Sequence, residues 1–254
     1  MKERILALVG FVCAAAGSLA ATNIKLVDWG ATPPVPADGT ADLVVIPQIL
    51  DLTNPDANVT YMGQVWGTRP GIQTYEVKNQ GDSSYQLEYL LCVQLEEGIG
   101  NSTYGYKDIA GYAGFLAEQI PGIVAGSDPG HIKAAALALA TWELDYDGYD
   151  PSTNSVNLAN LSLDAGKVTY VQTNETNAEY AAIKDQANTY ISELQAINPD
   201  QAKELAYRYY ANPYTNDQDK GYQDYITAPV PEPASLAAVL IGVAGLAIRR
   251  RKKA

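Results

Sequence analysis

Histidine and cysteine are nearly missing from this chain: it has one histidine, His131, and two cysteines, Cys13 and Cys92. So small a set excludes a conventional zinc site, which draws most of its four ligands from these two residue types. Cys13 sits inside the apolar N-terminal run and follows Val12, where a lipoprotein cleavage site needs a small residue. An exported body is then left with Cys92 alone and cannot staple itself with a disulfide, so its stability has to come from an ordinary core. His131 has Ser127 and Asp128 nearby in sequence, but positions i, i+1 and i+4 around a helix start do not line up a nucleophile, a base and an orienting group. Phenylalanine is scarce as well, 2 against 18 tyrosines. The chain shows no internal repeat.

Positive charge is concentrated at the two ends. Met1 to Ala20 begins with Lys2 and Arg4, continues with an apolar run from Ile5 to Ala16, and carries small residues Ser18 and Ala20 at signal-peptidase spacing, so residues 1–20 read as a signal peptide cleaved after Ala20. At the other end Val230, Pro231, Glu232 and Pro233 precede an uncharged span, Ala234 to Ile248. Arg249, Arg250, Arg251, Lys252 and Lys253 follow as a stop-transfer cluster that places the C-terminus in the cytoplasm. Seven large aliphatics in that span give an insertion gain of only about −2 to −4 kcal/mol. At ~1.5 Å per residue the span covers ~22 Å, short of the ~30 Å hydrocarbon core, so a transmembrane helix over 234–248 is a marginal anchor.

Val230 to Ala254 resembles the PEP-CTERM sorting tail of Gram-negative bacteria that make extracellular polysaccharide. The resemblance implies that an exosortase-like membrane enzyme recognises the Pro-Glu-Pro, cuts close to it and passes the mature chain to the surface or matrix. Signal peptidase, the membrane as a transient anchor, and extracellular polysaccharide are the partners expected on this reading.

Setting aside Lys2, Arg4 and the five tail cations, with Glu3 and Glu232, leaves 10 basic and 27 acidic residues between Ala21 and Pro229, a net charge of −17. Such a surface repels phosphate backbones and anionic lipids, which argues against nucleic-acid binding. Residues 21–212 are long enough for one domain, with 213–229 ("NPYTNDQDKGYQDYITAP" and its surroundings) read as a polar stem.

The expected fold class is α+β, an antiparallel sheet region followed by a helical subdomain. Ile24 to Trp29 is a short strand, and the proline-rich stretch Ala31 to Gly39 a loop. Val59 to Trp66, Gln73 to Lys78 and Tyr85 to Leu95 read as strands separated by the turns "GTRPG" and "NQGDSS". From Lys107 the period becomes helical through Ile109, Tyr112, Leu116 and Ile120, until Pro121 ends it. Ser127 or Asp128 caps a second helix running to Leu144, which the acidic turn "DYDGYD" terminates. Lys167 to Gln172 is a strand, Asn177 to Ile197 an amphipathic helix, and Gln201 to Tyr210 a further helical turn or three.

"YLLCVQLEE" (89–97), "DIAGYAGFLAEQI" (108–120) and "AAALALATWELDYD" (134–147) together resemble the cysteine strand, following helix and Gln-x-Ala-x-Trp helix of bacterial thioester domains. In that family a cysteine sulfur displaces ammonia from a glutamine carboxamide and leaves an acyl group for capture by a partner's amine or hydroxyl. Aligning Ala140, Trp142 and Glu143 with the motif puts Ala138 where the glutamine belongs, so the resemblance implies the fold with its reactive pair lost. Gln94 and Gln119 are the nearest substitutes. Cys92 then reads as a small buried strand residue, with an intermolecular disulfide or free thiol as alternatives.

Other groupings lead away from catalysis. Asp145, Asp147 and Asp150, and Asp217, Asp219 and Asp224, miss the full calcium-loop pattern, and the first set reads as an exposed helix-terminating turn. Adjacent Glu96 and Glu97 point to opposite faces of a strand, away from one shared glycosidic bond. Sequons at Asn58, Asn101, Asn160 and Asn174 carry little meaning in a bacterial chain. Tyr104, Tyr106, Tyr146, Tyr149, Tyr207, Tyr209, Tyr210 and Tyr214 either close a core or offer rings to sugars or proteins. The expectation is a non-enzymatic surface or matrix protein with no cofactor or metal. A covalent adhesin with a thioester at Cys92 and a secreted glycan hydrolase are the alternatives.

Overall fold

A computed structural model describes residues 39–45, 52–53, 58–61, 64–66, 68–93, 95, 101–150, 153, 155–211 and 223–228. The signal segment with Ala20, the strand expected at 24–29, Gln94, Glu96, Glu97, Tyr214, Asp217, Asp219 and everything from Pro229 onward lie outside them, the anchor helix at 234–248 included. Among the described residues no helix is long and apolar enough to cross a membrane.

The main sheet closes on itself. Strands β1 (Gly39–Val45), β5 (Gly71–Asn79), β6 (Gln86–Cys92), β7 (Ser102–Ala110), β11 (Ala206–Ala211) and β12 (Tyr225–Thr227) pair in the ring β1-β7-β11-β12-β6-β5, and β5 returns to β1. Every pairing is antiparallel. The two-residue β2 (Leu52–Thr53) continues along the same edge of β5 that β1 occupies. Closure leaves the ring without a terminal edge strand among the described residues.

Helices cover one side of this barrel. α2 (Ile132–Glu143) is buried along nearly its whole length, from Ala134 to Glu143, because a run of alanines and leucines has no polar face to give to water. It lies between the barrel strands β5 and β6, the helix α1 (Tyr112–Ala125) and the helix α3 (Asn177–Ala196). A three-stranded sheet of β3 (Asn58–Tyr61), β4 (Gln64–Trp66) and β10 (Val168–Val171) and a two-residue hairpin of β8 (Tyr149–Asp150) and β9 (Ser155–Val156) complete the helical side. α4 (Pro199–Ala202) is a single turn that leads into β11.

Two cores follow from this arrangement. Alternate residues of the barrel wall fill its interior with Ala41, Leu43, Tyr75, Val77, Leu90, Cys92, Tyr104, Tyr210 and Tyr225. Their neighbours on the outer face, among them Ile72, Leu91, Ile109, Tyr207 and Ile226, pack under the helices.

Several sequence expectations hold. The hairpin of β5 and β6 turns at the "NQGDSS" cluster, where Gly81 has φ +96°. Asp128 caps α2, its carboxylate accepting the amides of Lys133 at 2.8 Å and Ala134 at 2.9 Å. α3 carries a full capping box between Thr176 and Glu179, and buries Ile183, Ala187, Tyr190, Ile191 and Leu194.

Others are corrected. Residues 59–66 are no continuous strand but a hairpin of β3 and β4. Gly39, placed in a loop, begins β1. Ile109 belongs to β7, which runs to Ala110, and Pro121 lies inside α1 on its exposed side instead of ending it. Residues 206–211 form a strand where helix was expected, because Tyr207 and Tyr209 face the helices while Tyr210 faces the barrel interior, a period of two. The helices do not follow the sheet as a separate subdomain: β11 and β12 return to it after them. Tyr225–Thr227, inside the segment read as a stem, is a stave that pairs with β11 along all three residues and with β6 through Tyr225 and Ile226, both of which are 0% exposed.

Candidate functional site

The barrel interior and its contact with α2 bring together most of the described residues singled out in the sequence. Toward one end Tyr75 and Tyr225 join hydroxyls beside Cys92, with ring centroids 5.0 Å apart. Burial drives both phenols above their ordinary range, which keeps them as neutral hydrogen-bonding groups. Toward the other end the Tyr210 hydroxyl donates to Glu88 Oε2 at 2.8 Å. Arg208 forks onto Asp108, with Nε 2.7 Å and Nη2 2.8 Å from the two carboxylate oxygens, and its guanidinium carbon stands 4.4 Å from the Tyr106 ring centre. Burial raises the Glu88 carboxyl, a shift opposed by the Tyr210 hydrogen bond and the Arg208 charge. Tyrosine suits this core better than phenylalanine because the hydroxyls of Tyr75, Tyr225 and Tyr210 tie one stave to another.

Cys92 and Ala138 lie on opposite faces of the barrel wall. The Cys92 side chain belongs to the interior, whereas Ala138 packs in the outer core with Leu91 and Val93. What links α2 to this strand is the backbone: Trp142 Nε1 donates to the Cys92 carbonyl at 3.1 Å, and the Leu95 amide donates to the Tyr146 hydroxyl at 2.9 Å. Trp142 and Tyr146 therefore fix the end of β6 against the helix. Gln119, half-buried on α1, donates its amide to the Phe115 carbonyl.

The acidic turn after α2 is not the exposed terminator expected. Residues Leu144–Gly148 form one wide helical turn, and Asp145 is 6% exposed. Asp147 accepts the amides of Lys167 at 2.7 Å and Val168 at 3.0 Å, which commits both its oxygens to holding the start of β10. Gly166 is required there, since a Cβ would meet the Asp147 carboxylate at 2.7 Å. Asp150 accepts the Thr153 hydroxyl. Among the described residues no group of three or more His, Cys, Asp or Glu is placed to hold a metal ion. Asp224 accepts the Tyr209 hydroxyl beneath the helices and supplies its backbone carbonyl to Val93.

Glu143 stands out as a titrating group only in the folded chain. It is fully buried at the end of α2, accepts the Ser162 amide at 3.0 Å through Oε2, and its other oxygen has no hydrogen-bond partner. Burial, with the nearby Asp147 charge, pushes its pKa up to about 9, so it is a neutral acid at pH 7. His131 is half-buried and takes φ +53° where a tight turn passes into α2. Of the candidate tyrosines among the described residues, Tyr104, Tyr146, Tyr207 and Tyr210 are buried and Tyr106, Tyr149 and Tyr209 are half-buried; none of these seven is fully exposed.

No curated protein and no solved structure matches the chain. Residues 229–252 match the PEP-CTERM protein-sorting motif, a stretch that begins two positions after β12 ends at Thr227 and contains Val230, Pro231, Glu232 and Pro233 and the basic cluster as far as Lys252. The motif implies export, transient anchoring in the membrane and processing by an exosortase, and its presence at residues 229–252 marks this chain as one that carries a PEP-CTERM sorting signal.

Proposed function

We propose that the protein is a non-enzymatic surface or matrix component: a tyrosine-tied barrel with a helical cover, exported, tethered by its tail and released by a cut at the Pro-Glu-Pro. The match at residues 229–252 carries this reading. The barrel supports it, because its interior is occupied by side chains bonded to one another, Tyr75 to Tyr225, Tyr210 to Glu88 and Arg208 to Asp108, in the manner of a structural plug. A covalent adhesin is disfavoured by the placement of Cys92 and position 138 on opposite faces of the wall. Extracellular polysaccharide is the partner class this destination favours, and the acidic exterior suits a hydrated matrix.

Pulse-chase fractionation tests the reading. Wild-type chain is expected to pass from the membrane fraction to the exterior with loss of its basic tail, and the double variant Pro231→Ala, Pro233→Ala to remain membrane-bound and full-length. Release of that double variant at the wild-type rate would overturn it.

A further inference from the structure

We propose that the outer face of the β5–β6 hairpin is a membrane-docking surface, and that its occupant is the lipid interface in which the chain's own tail is anchored. Tyr85 and Leu87 are the exposed large apolar side chains among the described residues, at 42% and 45%. They sit side by side in the sheet. Glu76 pairs with Leu87, and continuing that register sets Lys78 beside Tyr85, with Lys78 Nζ 5.7 Å from the Tyr85 ring centre. Neighbouring Tyr75, Val77 and Glu88 point the other way, toward the interior. The face thus carries an aromatic ring, an aliphatic side chain and a lysine with a long apolar stem, a set that favours the boundary between headgroups and hydrocarbon, together with the exposed Glu76 beside Leu87, whose carboxylate stays on the water side.

Strand direction brings this face to the membrane. β12 runs antiparallel to β6, with Tyr225 opposite Cys92 and Ile226 opposite Leu91, so the chain leaves the barrel heading toward Leu87, Tyr85 and the hairpin turn. β1 also enters at that end, since Ala41 pairs with Asn79. Six residues, Ala228 to Pro233, separate Thr227 from the apolar span. At ~3.3–3.6 Å per residue they let Thr227 stand at most ~25 Å from the start of that span. Continuing the β12–β6 register sets Leu90 opposite Thr227, and Tyr85, the residue before β6, lies five residues from Leu90, which is ~17 Å in the same direction at ~3.3 Å per residue. Fully stretched, the tail leaves Tyr85 within ~8 Å of the hydrocarbon edge, comparable with a headgroup layer of ~5–7 Å, and any slack seats it in the interface.

The docking surface rests on the anchored-tail reading, and the experiment separates the two. Full-length chain carrying Leu87→Trp, and in parallel Asn188→Trp on the exposed face of α3, is reconstituted into phosphatidylethanolamine–phosphatidylglycerol vesicles with and without brominated acyl chains. Co-sedimentation with the vesicles reports anchoring. The added emission of Leu87→Trp over the parent protein is expected to shift to the blue and to fall about twofold with brominated lipid, while that of Asn188→Trp is unchanged, as for a ring at the interface. Co-sedimentation with equal quenching of both variants overturns the docking surface and leaves the anchor standing. A blue shift of Leu87→Trp without bromine quenching assigns the face to another copy or to the chain's own tail and likewise overturns it. Failure to co-sediment removes the anchor and the docking surface with it.

Discussion

Glu143 is the side chain whose chemistry departs furthest from what its sequence neighbours suggest. Its carboxyl is neutral in the fold with a pKa of about 9, against an ordinary 4.5 in the unfolded chain. The native state therefore holds a proton that the unfolded state has released, and stability is full below pH 4.5 and falls as pH rises toward 9. By pH 7 the loss is about 3 kcal/mol, at ~1.4 kcal/mol per pH unit. Glu143→Gln keeps an oxygen for the Ser162 amide and removes the titration. Thermal unfolding followed from pH 5 to pH 9 is expected to show a steep decline in the wild type and a shallower one in the variant; parallel declines would contradict the assignment. Tyr210→Phe is expected to cost about 1–3 kcal/mol in urea unfolding, because it strips the buried Glu88 of its hydroxyl donor.

At the scale of elements, α1 offers a matched pair of glycines. A Cβ on Gly114 would stand 2.1 Å from the Leu205 carbonyl oxygen, while one on Gly122 would meet nothing within 4 Å. Gly122→Ala is expected to stabilise by about 0.5–1 kcal/mol from helix propensity alone. Gly114→Ala is expected to destabilise by about 1–3 kcal/mol, since the turn after α4 cannot approach the helix. Chemical denaturation of the two variants checks both signs. α2 and α3 were readable because a cap and a long apolar period sit within one stretch, and the β5–β6 hairpin because its turn residues are local. β11 was misread since Gln201 to Tyr210 is rich in helix formers, and its alternation matters only once β7 and β12 flank it. β12, three residues long, has no period to detect, and its strand character is conferred by its neighbours.

For the whole molecule, the decisive feature is that the barrel ends where the sorting signal begins. Removing residues 223–254 takes out the stave between β11 and β6 and is expected to leave a chain without cooperative unfolding, whereas removing 230–254 is expected to leave a folded domain; circular dichroism melts distinguish them. The export of the protein was written in its C-terminal tail, from Pro231 to Lys252, because a short targeting signal is read by its receptor from the chain itself. The barrel was not, since ring closure depends on β1 meeting β5, β7 meeting β11 and β12 meeting β6, pairings between distant segments that leave no local trace. The most direct measurement is the intact mass, with terminal sequencing, of the protein recovered from outside the cell. The expected product is a chain that begins at Ala21, ends close to the Pro-Glu-Pro with Tyr225 to Thr227 retained, and is not lighter than its sequence by one ammonia. A product that still carries Arg249 to Lys253, or one that ends before Tyr225, would contradict it.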